Sequence, residues 1–359
     1  MKKLIVLSLL AAAVMFPSCR NQGTSAPLPR EGSPAMDQAF ESYLKAVADS
    51  NVTMHSIMVL QHGKVLAEKQ FAPDTAHIMH SVSKTFTSTA VGFAISEGLL
   101  SLDSRIVDLF PESVPADVEE PDRLARITVR NLLTMNSGHG VDPTSAIRSQ
   151  DIDWIKAFME WPIEYEPGTC YCYNSLGTYI LSAAVQKVTG EKVVDYLQPR
   201  LWKPLGIQKP RWLESPAGIN TGGWGLYLHT EDMARMGLCL LNGGKFCGKQ
   251  VIPADWVAQM SAKQVPCVGA GMNEMQVKAV QEDESNPARA YFDPEKSDWL
   301  QGYGYQMWRC RHNAFRADGA VGQYIIVIPD KDAVVVTTAQ EPNMQKEINL
   351  IWDFILPAL

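Results

Sequence analysis

The sequence contains no long run of like charges and no excess of basic residues. Its 32 Lys and Arg stand against 39 Asp and Glu, a formal net charge of −7. Binding a nucleic-acid backbone needs clustered positive charge, so we expect no nucleic-acid partner. After residue 18, no apolar stretch approaches the roughly 18–20 residues of a transmembrane helix, and no internal repeat is visible. With 46% hydrophobic and 20% charged residues over 359 residues, the composition is that of a globular protein with a sizeable core.

Two common catalytic signatures are also missing. No G-x-S-x-G pattern occurs, so a Ser-His-Asp triad on a nucleophile elbow is not expected. His77 and His80 have H-x-x-H spacing, but no third ligand cluster accompanies them, and we predict no metal and no cofactor. The seven cysteines include a C-x-C pair, Cys170 and Cys172. Export would permit disulfides whose pairing the spacing leaves open, and buried thiols are the simpler interpretation.

The first 18 residues have the pattern of a secretory signal. Two lysines precede an apolar run, residues 4–16, that is too short for a permanent membrane anchor. A small residue directly before Cys19 resembles the processing site of a bacterial lipoprotein, which predicts a lipid anchor on Cys19. An ordinary signal peptide followed by a chance cysteine is the alternative. We therefore expect export to the cell envelope, on the periplasmic side, with a flexible tether over residues 19–35.

The remaining pattern predicts an α+β domain over residues 36–359. Helical spacing and strand patterns alternate in a definite order along the chain. Helical segments are predicted at 36–51, 81–99, 129–135, 153–160, 175–188 and 347–356, and strands at 57–60, 65–67, 303–309, 323–328 and 334–338. This order predicts an antiparallel sheet assembled from both ends of the chain, flanked by the terminal helices, with a mostly helical lobe inserted at roughly 100–235. Residues 268–300 are polar and aperiodic, which favours a long loop.

Ser81 and Lys84 form an S-x-x-K pattern at the start of a predicted buried helix. Positions i and i+3 share a helix face, so the lysine amine can reach the serine hydroxyl. Free backbone N–H groups at the helix start would favour developing negative charge on the substrate. A lysine acts as a base only when neutral, and lowering its pKa by three units costs about 4 kcal/mol, which burial would have to supply. Ser42 and Lys45 repeat the pattern within an amphipathic helix, where we interpret it as structural.

Further segments surround this pattern in an order that resembles a known superfamily. The chain resembles the serine β-lactamase and penicillin-binding-protein superfamily, in its branch with class C β-lactamases, esterases and 6-aminohexanoate-dimer hydrolases. The resemblance begins near residue 36 and runs to the end of the chain. Its segments are His80–Thr87, Leu132–His139, Pro167–Thr169, Tyr173–Gly177, Gly222–Leu226 and Asp318–Gln323.

The resemblance implies the fold of that superfamily and a set of catalytic roles. Ser81 would be the nucleophile that forms an acyl-enzyme, with Lys84 as its proton partner and Tyr173 as a second base or proton relay. The backbone amides of Ser81 and Ala320 would form the oxyanion hole. The third motif aligns in more than one register, so Ala320 has alternatives, and Tyr173 on its own could be a core tyrosine.

Two motifs depart from the superfamily pattern. Ser175 occupies the third position of the second motif, where the usual Tyr-x-Asn has asparagine. Ala317-Asp318-Gly319 occupies the place of the third motif, which normally starts with a cationic residue. Because that cation binds the substrate carboxylate in penicillin-recognising members, Asp318 could repel a carboxylate instead. Aromatic residues could line an acyl pocket or simply pack the sheet. The candidate pocket residues are Ser175, Trp224, Tyr303, Asp318, Gly319 and Gln323, with Tyr305 and Trp308 as further aromatic candidates.

These observations lead to one main hypothesis and two alternatives. The main hypothesis is a serine hydrolase that cleaves a small-molecule ester or amide through an acyl-Ser81 intermediate. The first alternative is a class C-type β-lactamase or a D-alanyl-D-alanine carboxypeptidase, which the missing cation disfavours. The second is a non-catalytic binding protein on the same scaffold, which the presence of Ser81, Lys84 and Tyr173 together disfavours.

Overall fold

The computed structural model describes residues 26–116 and 122–359. The predicted signal segment and Cys19 lie outside the described residues. Within the described ranges, no helix combines the length and the apolar character needed to cross a membrane.

The strands of the described chain build one large antiparallel sheet and two small ones. They are β1 (Met54–Gln61), β2 (Lys64–Gln70), β3 (His77–Ile78), β4 (Tyr227–Leu228), β5 (Lys245–Phe246), β6 (Lys249–Gln250), β7 (Trp308–Arg309), β8 (Phe315–Gly319), β9 (Gln323–Ile328) and β10 (Ala333–Ala339). The large sheet has the order β2-β1-β10-β9-β8-β7. Strand β1 pairs with β10, so the two ends of the chain meet at the middle of the sheet. This confirms the α+β fold of the β-lactamase and transpeptidase type predicted from the sequence.

Helices cover both faces of the large sheet. They are α1 (Pro34–Asp49), α2 (Ser83–Ser96), α3 (Ile106–Leu109), α4 (Val129–Leu133), α5 (Thr144–Ile147), α6 (Trp154–Glu160), α7 (Ser175–Thr189), α8 (Val193–Leu197), α9 (Lys203–Leu205), α10 (Thr230–Leu241), α11 (Ala254–Ser261), α12 (Glu274–Glu282) and α13 (Met344–Leu350). Single 3₁₀ turns cover His80–Val82, Pro111–Ser113, Leu124–Arg126, Pro287–Phe292, Pro329–Lys331 and Leu356–Ala358, and π turns cover Gln198–Trp202 and Ile351–Ile355.

Side chains along the central strands alternate between the two faces of the sheet, so the hydrophobic core has one part on each face. On β9 and β10, Ile326 and Val335 pack with α1 and α13, whereas Ile325 and Val336 pack with α2, α10 and the helical lobe. Because both faces are covered, the strands carry apolar side chains on both sides. The catalytic motifs lie at the junction between this sheet and the helical lobe.

The N-terminal tether is shorter than predicted. Val65 donates its amide to the Pro29 carbonyl and accepts from the Glu31 amide, so residues 29–31 pair with the edge of β2. Leu28 is buried, and its amide donates to Glu231 on α10 at 3.1 Å. The prediction of a free tether through residue 35 is therefore wrong for residues 28–31, because backbone pairing at a sheet edge offsets the low hydrophobicity of this segment.

Two further segments differ from the sequence prediction. The predicted loop at 268–300 contains α12, which starts with a reciprocal capping box between Asn273 and Gln276. This helix has a single buried residue, Val277, so its apolar periodicity is weak. The strand predicted over 303–309 is reduced to β7, because Gln306 has a φ of 64°, which breaks the extended backbone.

Candidate active site

Ser81 sits in a sharp turn immediately before α2. It lies in the 3₁₀ turn His80–Val82, and His80 has a φ of 45°. The hydroxyl of Ser83 donates to the His80 carbonyl at 2.6 Å and accepts from the Leu226 amide at 3.2 Å. These bonds fix the turn, so Ser81 stays partly exposed while the first turns of α2 behind it are buried.

Lys84 is a buried amine surrounded by neutral acceptors. Its side chain is 1% exposed, and Nζ lies 3.1 Å from Ser81 Oγ, 3.0 Å from Ser175 Oγ and 2.8 Å from the Gly223 carbonyl. Burial lowers the pKa of Lys84 to about 7, against the opposing effect of the Asp142 and Asp318 carboxylates. An amine with this pKa is about half neutral at neutral pH, which is what a general base requires.

Gly223 has to be glycine for its carbonyl to reach Lys84. A Cβ built on Gly223 would lie 2.6 Å from the Ser175 carbonyl and 3.4 Å from Lys84 Nζ. The preceding Gly222 has a φ of +65°, and a Cβ there would lie 2.8 Å from the Thr178 carbonyl. Two consecutive glycines therefore let this segment approach the start of α7 closely enough to contact the amine.

Tyr173 lies beside the serine and the lysine. Lys84 Nζ lies 4.8 Å from the centre of its ring. Burial raises the pKa of Tyr173 well above its usual value, more strongly than the nearby Ser81 hydroxyl lowers it. The phenol is therefore protonated at neutral pH and can donate a proton.

Asp142, which was not identified from the sequence, holds Ser175, the residue that departs from the usual second motif. Its carboxylate accepts from the Ser175 amide at 3.1 Å and from the Thr144 amide at 3.0 Å. Asn174 caps α7 by accepting from the Gly177 amide at 2.9 Å, and Ser175 is thereby left facing Lys84. The hydroxyl of Ser175 thus contacts the amine from the third position of the second motif. Asp142 follows a Gly-rich stretch and carries no motif that would identify it.

Asp318 forms a buried ion pair with Arg316. Arg316 Nε donates to the Asp318 carboxylate at 2.8 Å, and the two side chains are 0% and 8% exposed. The guanidinium also donates to the Asp298 carbonyl at 2.9 Å and lies 4.4 Å from the centre of the Trp299 ring. Burial raises the pKa of Asp318, opposed by the charge of Arg316. The charge of Asp318, which stands in place of the usual cationic residue, is therefore neutralised by Arg316.

A tight turn between β8 and β9 presents Ala320. Gly319 pairs with Gln323 across the turn, and a Cβ on Gly319 would lie 2.3 Å from the Met79 carbonyl, so the turn contacts the segment that leads to Ser81. Gln323 is buried and donates to the Ala320 carbonyl at 3.2 Å and the Ala339 carbonyl at 2.8 Å. It braces the turn from inside, which corrects its assignment as a pocket residue.

The aromatic candidates occupy different places. Tyr303 and Trp308 are buried against each other with ring centres 4.9 Å apart, and Trp308 stacks on Tyr173 at 5.3 Å. Trp224 is half-buried beside Gly223, with its ring 5.8 Å from that of Trp154. Tyr305 instead accepts from Arg130 at 3.0 Å and packs on Trp256 in the core. The structure thus brings Tyr303 and Trp308 to Tyr173, and leaves Tyr305 with the core.

Other predicted groups have ordinary structural surroundings. His77 stacks on His55 with ring centres 5.0 Å apart. Among residues 26–116 and 122–359, no three His, Cys, Asp or Glu side chains are arranged to hold a metal. Cys170 and Cys172 are buried free thiols.

Comparisons with known proteins agree with this geometry. The family model described as Beta-lactamase matches residues 37–358. The chain is similar to the 6-aminohexanoate-dimer hydrolase of Paenarthrobacter ureafaciens, with 28% identity over 58% of this chain and 57% of that protein. It is also similar to the lovastatin esterase of Penicillium rubens, with 31% identity over 37% of this chain and 39% of that protein. The matches span about half the length, or less, of these curated relatives.

Solved structures show the same fold at low sequence identity. The octameric penicillin-binding protein homologue from Pyrococcus abyssi superimposes with a TM-score of 0.66 and 17% identity, covering 89% of this chain and 77% of that chain. The family match extends over almost all of the described chain and includes each motif of the site. The chain therefore belongs to the beta-lactamase family.

Proposed function

We propose that this protein is a serine hydrolase that cleaves an ester or amide of a small molecule through an acyl-Ser81 intermediate. The observation that carries the proposal is the buried Lys84 amine, 3.1 Å from Ser81 Oγ and with a pKa lowered to about 7. A serine hydroxyl is a weak nucleophile until an adjacent base removes its proton.

The three contacts of Lys84 match the hydrogen-bonding groups of a neutral amine. A neutral amine has two N–H donors and one lone pair. Gly223 O and Ser175 Oγ accept the two N–H groups, which turns the lone pair toward the Ser81 hydroxyl. Lys84 then takes the Ser81 proton as Oγ attacks the substrate carbonyl.

Tyr173 and two backbone amides complete the reaction. The protonated phenol donates a proton toward the leaving group and recovers it from Lys84. The amides of Ser81 and Ala320 bind the oxyanion, since the turn at Gly319 packs against the carbonyl two residues before Ser81. Water then attacks the acyl-enzyme by the reverse proton transfers.

The third motif favours esters and neutral amides over carboxylate-bearing substrates. Asp318 and Arg316 neutralise each other, so the motif offers no free cation to a carboxylate. Tyr303, Trp308 and the half-buried Trp224 form apolar walls near the site. A relative named as an esterase supports the ester part of this substrate class. A β-lactamase or D-alanyl-D-alanine carboxypeptidase is less well supported for the same reason.

Covalent labelling tests the proposal. Purified protein is treated with a fluorophosphonate or a p-nitrophenyl ester, and its intact mass is measured. We expect one adduct that Ser81→Ala abolishes and Ser42→Ala keeps, because Ser42 belongs to the second S-x-x-K pattern but its hydroxyl donates to the Gln38 carbonyl of its own helix. Absence of any adduct would favour a non-catalytic binding protein, and rapid turnover of nitrocefin or stable labelling by penicillin would favour the first alternative.

We also propose that the protein is anchored to the cell envelope through a lipid on Cys19, on the basis of the first 19 residues of the sequence. Metabolic labelling with a fatty-acid analogue is expected to mark the wild type and not Cys19→Ala. Equal labelling of both would contradict the anchor.

A further inference from the structure

The turn that presents Ala320 contains strained backbone. Val321 has a φ of 60° and Gly322 a φ of 93°. Glycine adopts this left-handed region freely, but a β-branched valine does so at a cost of about 1–3 kcal/mol. A strained turn keeps its shape only when surrounding contacts hold it.

Three consecutive carbonyls of this turn are held from behind. The Ala320 carbonyl accepts from Gln323 at 3.2 Å, the Val321 carbonyl accepts from the Glu341 amide at 3.0 Å, and the Gly322 carbonyl accepts from Thr337 Oγ1 at 3.1 Å. Together with the bond from the Gly322 amide to the Gly319 carbonyl at 3.2 Å, these contacts fix the shape of the turn that carries the Ala320 amide.

Glu347 on α13 packs beneath the same turn. It is 0% exposed, and a Cβ built on Gly322 would lie 1.9 Å from its Oε2, so the carboxyl rests directly on that glycine. Its other oxygen, Oε1, lies 2.8 Å from Thr337 Oγ1. The Thr337 hydroxyl therefore has two oxygens within bonding distance but only one proton to donate.

The proton count is satisfied when Glu347 carries a proton. Glu347 then donates to Thr337 Oγ1, and Thr337 donates to the Gly322 carbonyl, which gives a continuous chain from α13 to the turn. The charged groups around Glu347 are consistent with a protonated carboxyl. Glu341 and Asp318 face Glu347 with like charge, but Lys346 pairs with Glu341 and Arg316 pairs with Asp318. The phenols of Tyr43 on α1 and Tyr324 on β9 also lie within its electrostatic reach.

We infer that Glu347 is a positioning residue that, in its uncharged form, holds the oxyanion turn through Thr337. This inference rests on the proposed function, in which the Ala320 amide binds the oxyanion. It assigns a part in catalysis to α13, which packs beneath the turn. Burial raises the pKa of Glu347 well above its usual value, in keeping with this role.

Activity measurements on three variants test the chain of hydrogen bonds from Glu347 through Thr337 to the turn. Glu347→Gln keeps a donor and an acceptor in the same place, so kcat for a p-nitrophenyl ester should stay within about threefold of wild type. Glu347→Ala and Thr337→Val break the chain and should lower kcat by about tenfold or more with little change in KM, since the oxyanion hole acts in the transition state. The inference fails if Glu347→Gln loses as much kcat as Glu347→Ala, or if neither broken-chain variant loses kcat.

Thermal stability tests the uncharged state independently of activity. A raised folded pKa means that the stabilising effect of protonated Glu347 is complete below the unfolded pKa of about 4.3 and is lost as pH rises toward the folded pKa. Glu347→Gln has no such loss, so its Tm should exceed that of wild type by about 3 °C or more at pH 8 and by much less at pH 5. Glu97→Gln, whose carboxylate is paired with Arg200 and does not act on Glu347, is the control and should show no such gain.

A Tm difference between Glu347→Gln and wild type that is equal at pH 5 and pH 8 would overturn the inference. If wild-type Ser81 forms no covalent adduct, the proposed function fails instead. The pH-dependent Tm difference would then still report the protonation of Glu347.

Discussion

Lys84 and Arg316 are both fully buried cationic side chains, yet their surroundings have opposite effects. Lys84 contacts two hydroxyls and a carbonyl, and burial brings its pKa down to about 7. Arg316 contacts a carboxylate, and its pKa stays above the usual value for arginine. The comparison teaches that the charge of the partner, and not burial alone, sets the direction in which the pKa of a buried cationic side chain moves. One site supports chemistry and the other supports structure.

The largest expected effect comes from placing a permanent cation at the lysine site. Arginine does not lose its proton in proteins, so Lys84→Arg removes the base but keeps a positive charge. We expect kcat/KM for a p-nitrophenyl ester to fall by about 10³-fold or more. Lys45→Arg is the matched control, because Lys45 is exposed and paired with Asp49 in the second S-x-x-K pattern. Retention of a tenth of wild-type activity by Lys84→Arg, with an unchanged Tm, would refute general-base catalysis by Lys84.

The second effect follows from removing the carboxylate at the arginine site. Asp318→Asn leaves Arg316 buried with its partner charge gone, and breaking a buried pair in this way costs about 3–5 kcal/mol. Urea unfolding should therefore show a loss of about that size. The double variant Arg316→Met/Asp318→Asn should be more stable than Asp318→Asn alone, since the unpaired charge is gone. Additive losses in the double variant would show that the two side chains contribute independently.

The sequence predicted the parts of this site that lie close together along the chain. Ser81 and Lys84 are three residues apart across the junction of a 3₁₀ turn and α2, and this short spacing places the amine near the hydroxyl. The sheet was predictable because β9 and β10 are short apolar strands joined by a turn. The contacts that distinguish the two cations were not predictable. The Gly223 carbonyl is a backbone atom 139 residues from Lys84, and Asp142 reaches Ser175 across 33 residues.

The misplaced residues have an equally physical explanation. Gln323 follows a Gly-rich motif and looked like a pocket residue, but its amide holds the Ala320 carbonyl of the turn and the Ala339 carbonyl at the end of β10. Asp318 was correctly identified as a carboxylate in place of a cation. Its neutralisation by Arg316, two residues earlier on the same face of β8, depends on burial that the sequence does not specify. Helix α12 was missed because it buries one side chain, although its capping box was visible.

A third effect tests whether neutral partners orient the Lys84 amine. Ser175→Ala removes one of the two acceptors for a neutral amine, so the lone pair is less firmly directed at Ser81. We expect kcat/KM to fall by about tenfold, because a single hydrogen bond contributes about 1 kcal/mol and more in a buried site. Ser175→Asn, which restores the residue usual in the superfamily, should recover part of the loss. Wild-type activity in Ser175→Ala would show that Gly223 suffices.

The smallest effect is a shift in pH dependence, and it measures how far a carboxylate keeps Lys84 charged. In the proposed mechanism activity requires neutral Lys84, so kcat/KM should fall as pH drops through about 7. The Asp142 carboxylate raises the pKa of Lys84. Asp142→Asn should therefore lower that pKa and move the acid limb of kcat/KM to lower pH, by less than about one unit.

Asp153→Asn is the matched control for this shift, because Asp153 holds the start of α6 through backbone amides as Asp142 holds the start of α5. Its charge is not among those that act on Lys84, so its acid limb should coincide with that of wild type. An unshifted limb in Asp142→Asn would mean that the charge of Asp142 does not reach the amine. In that case Asp142 would act only by holding Ser175, and the neutral acceptors alone would account for the contrast between Lys84 and Arg316.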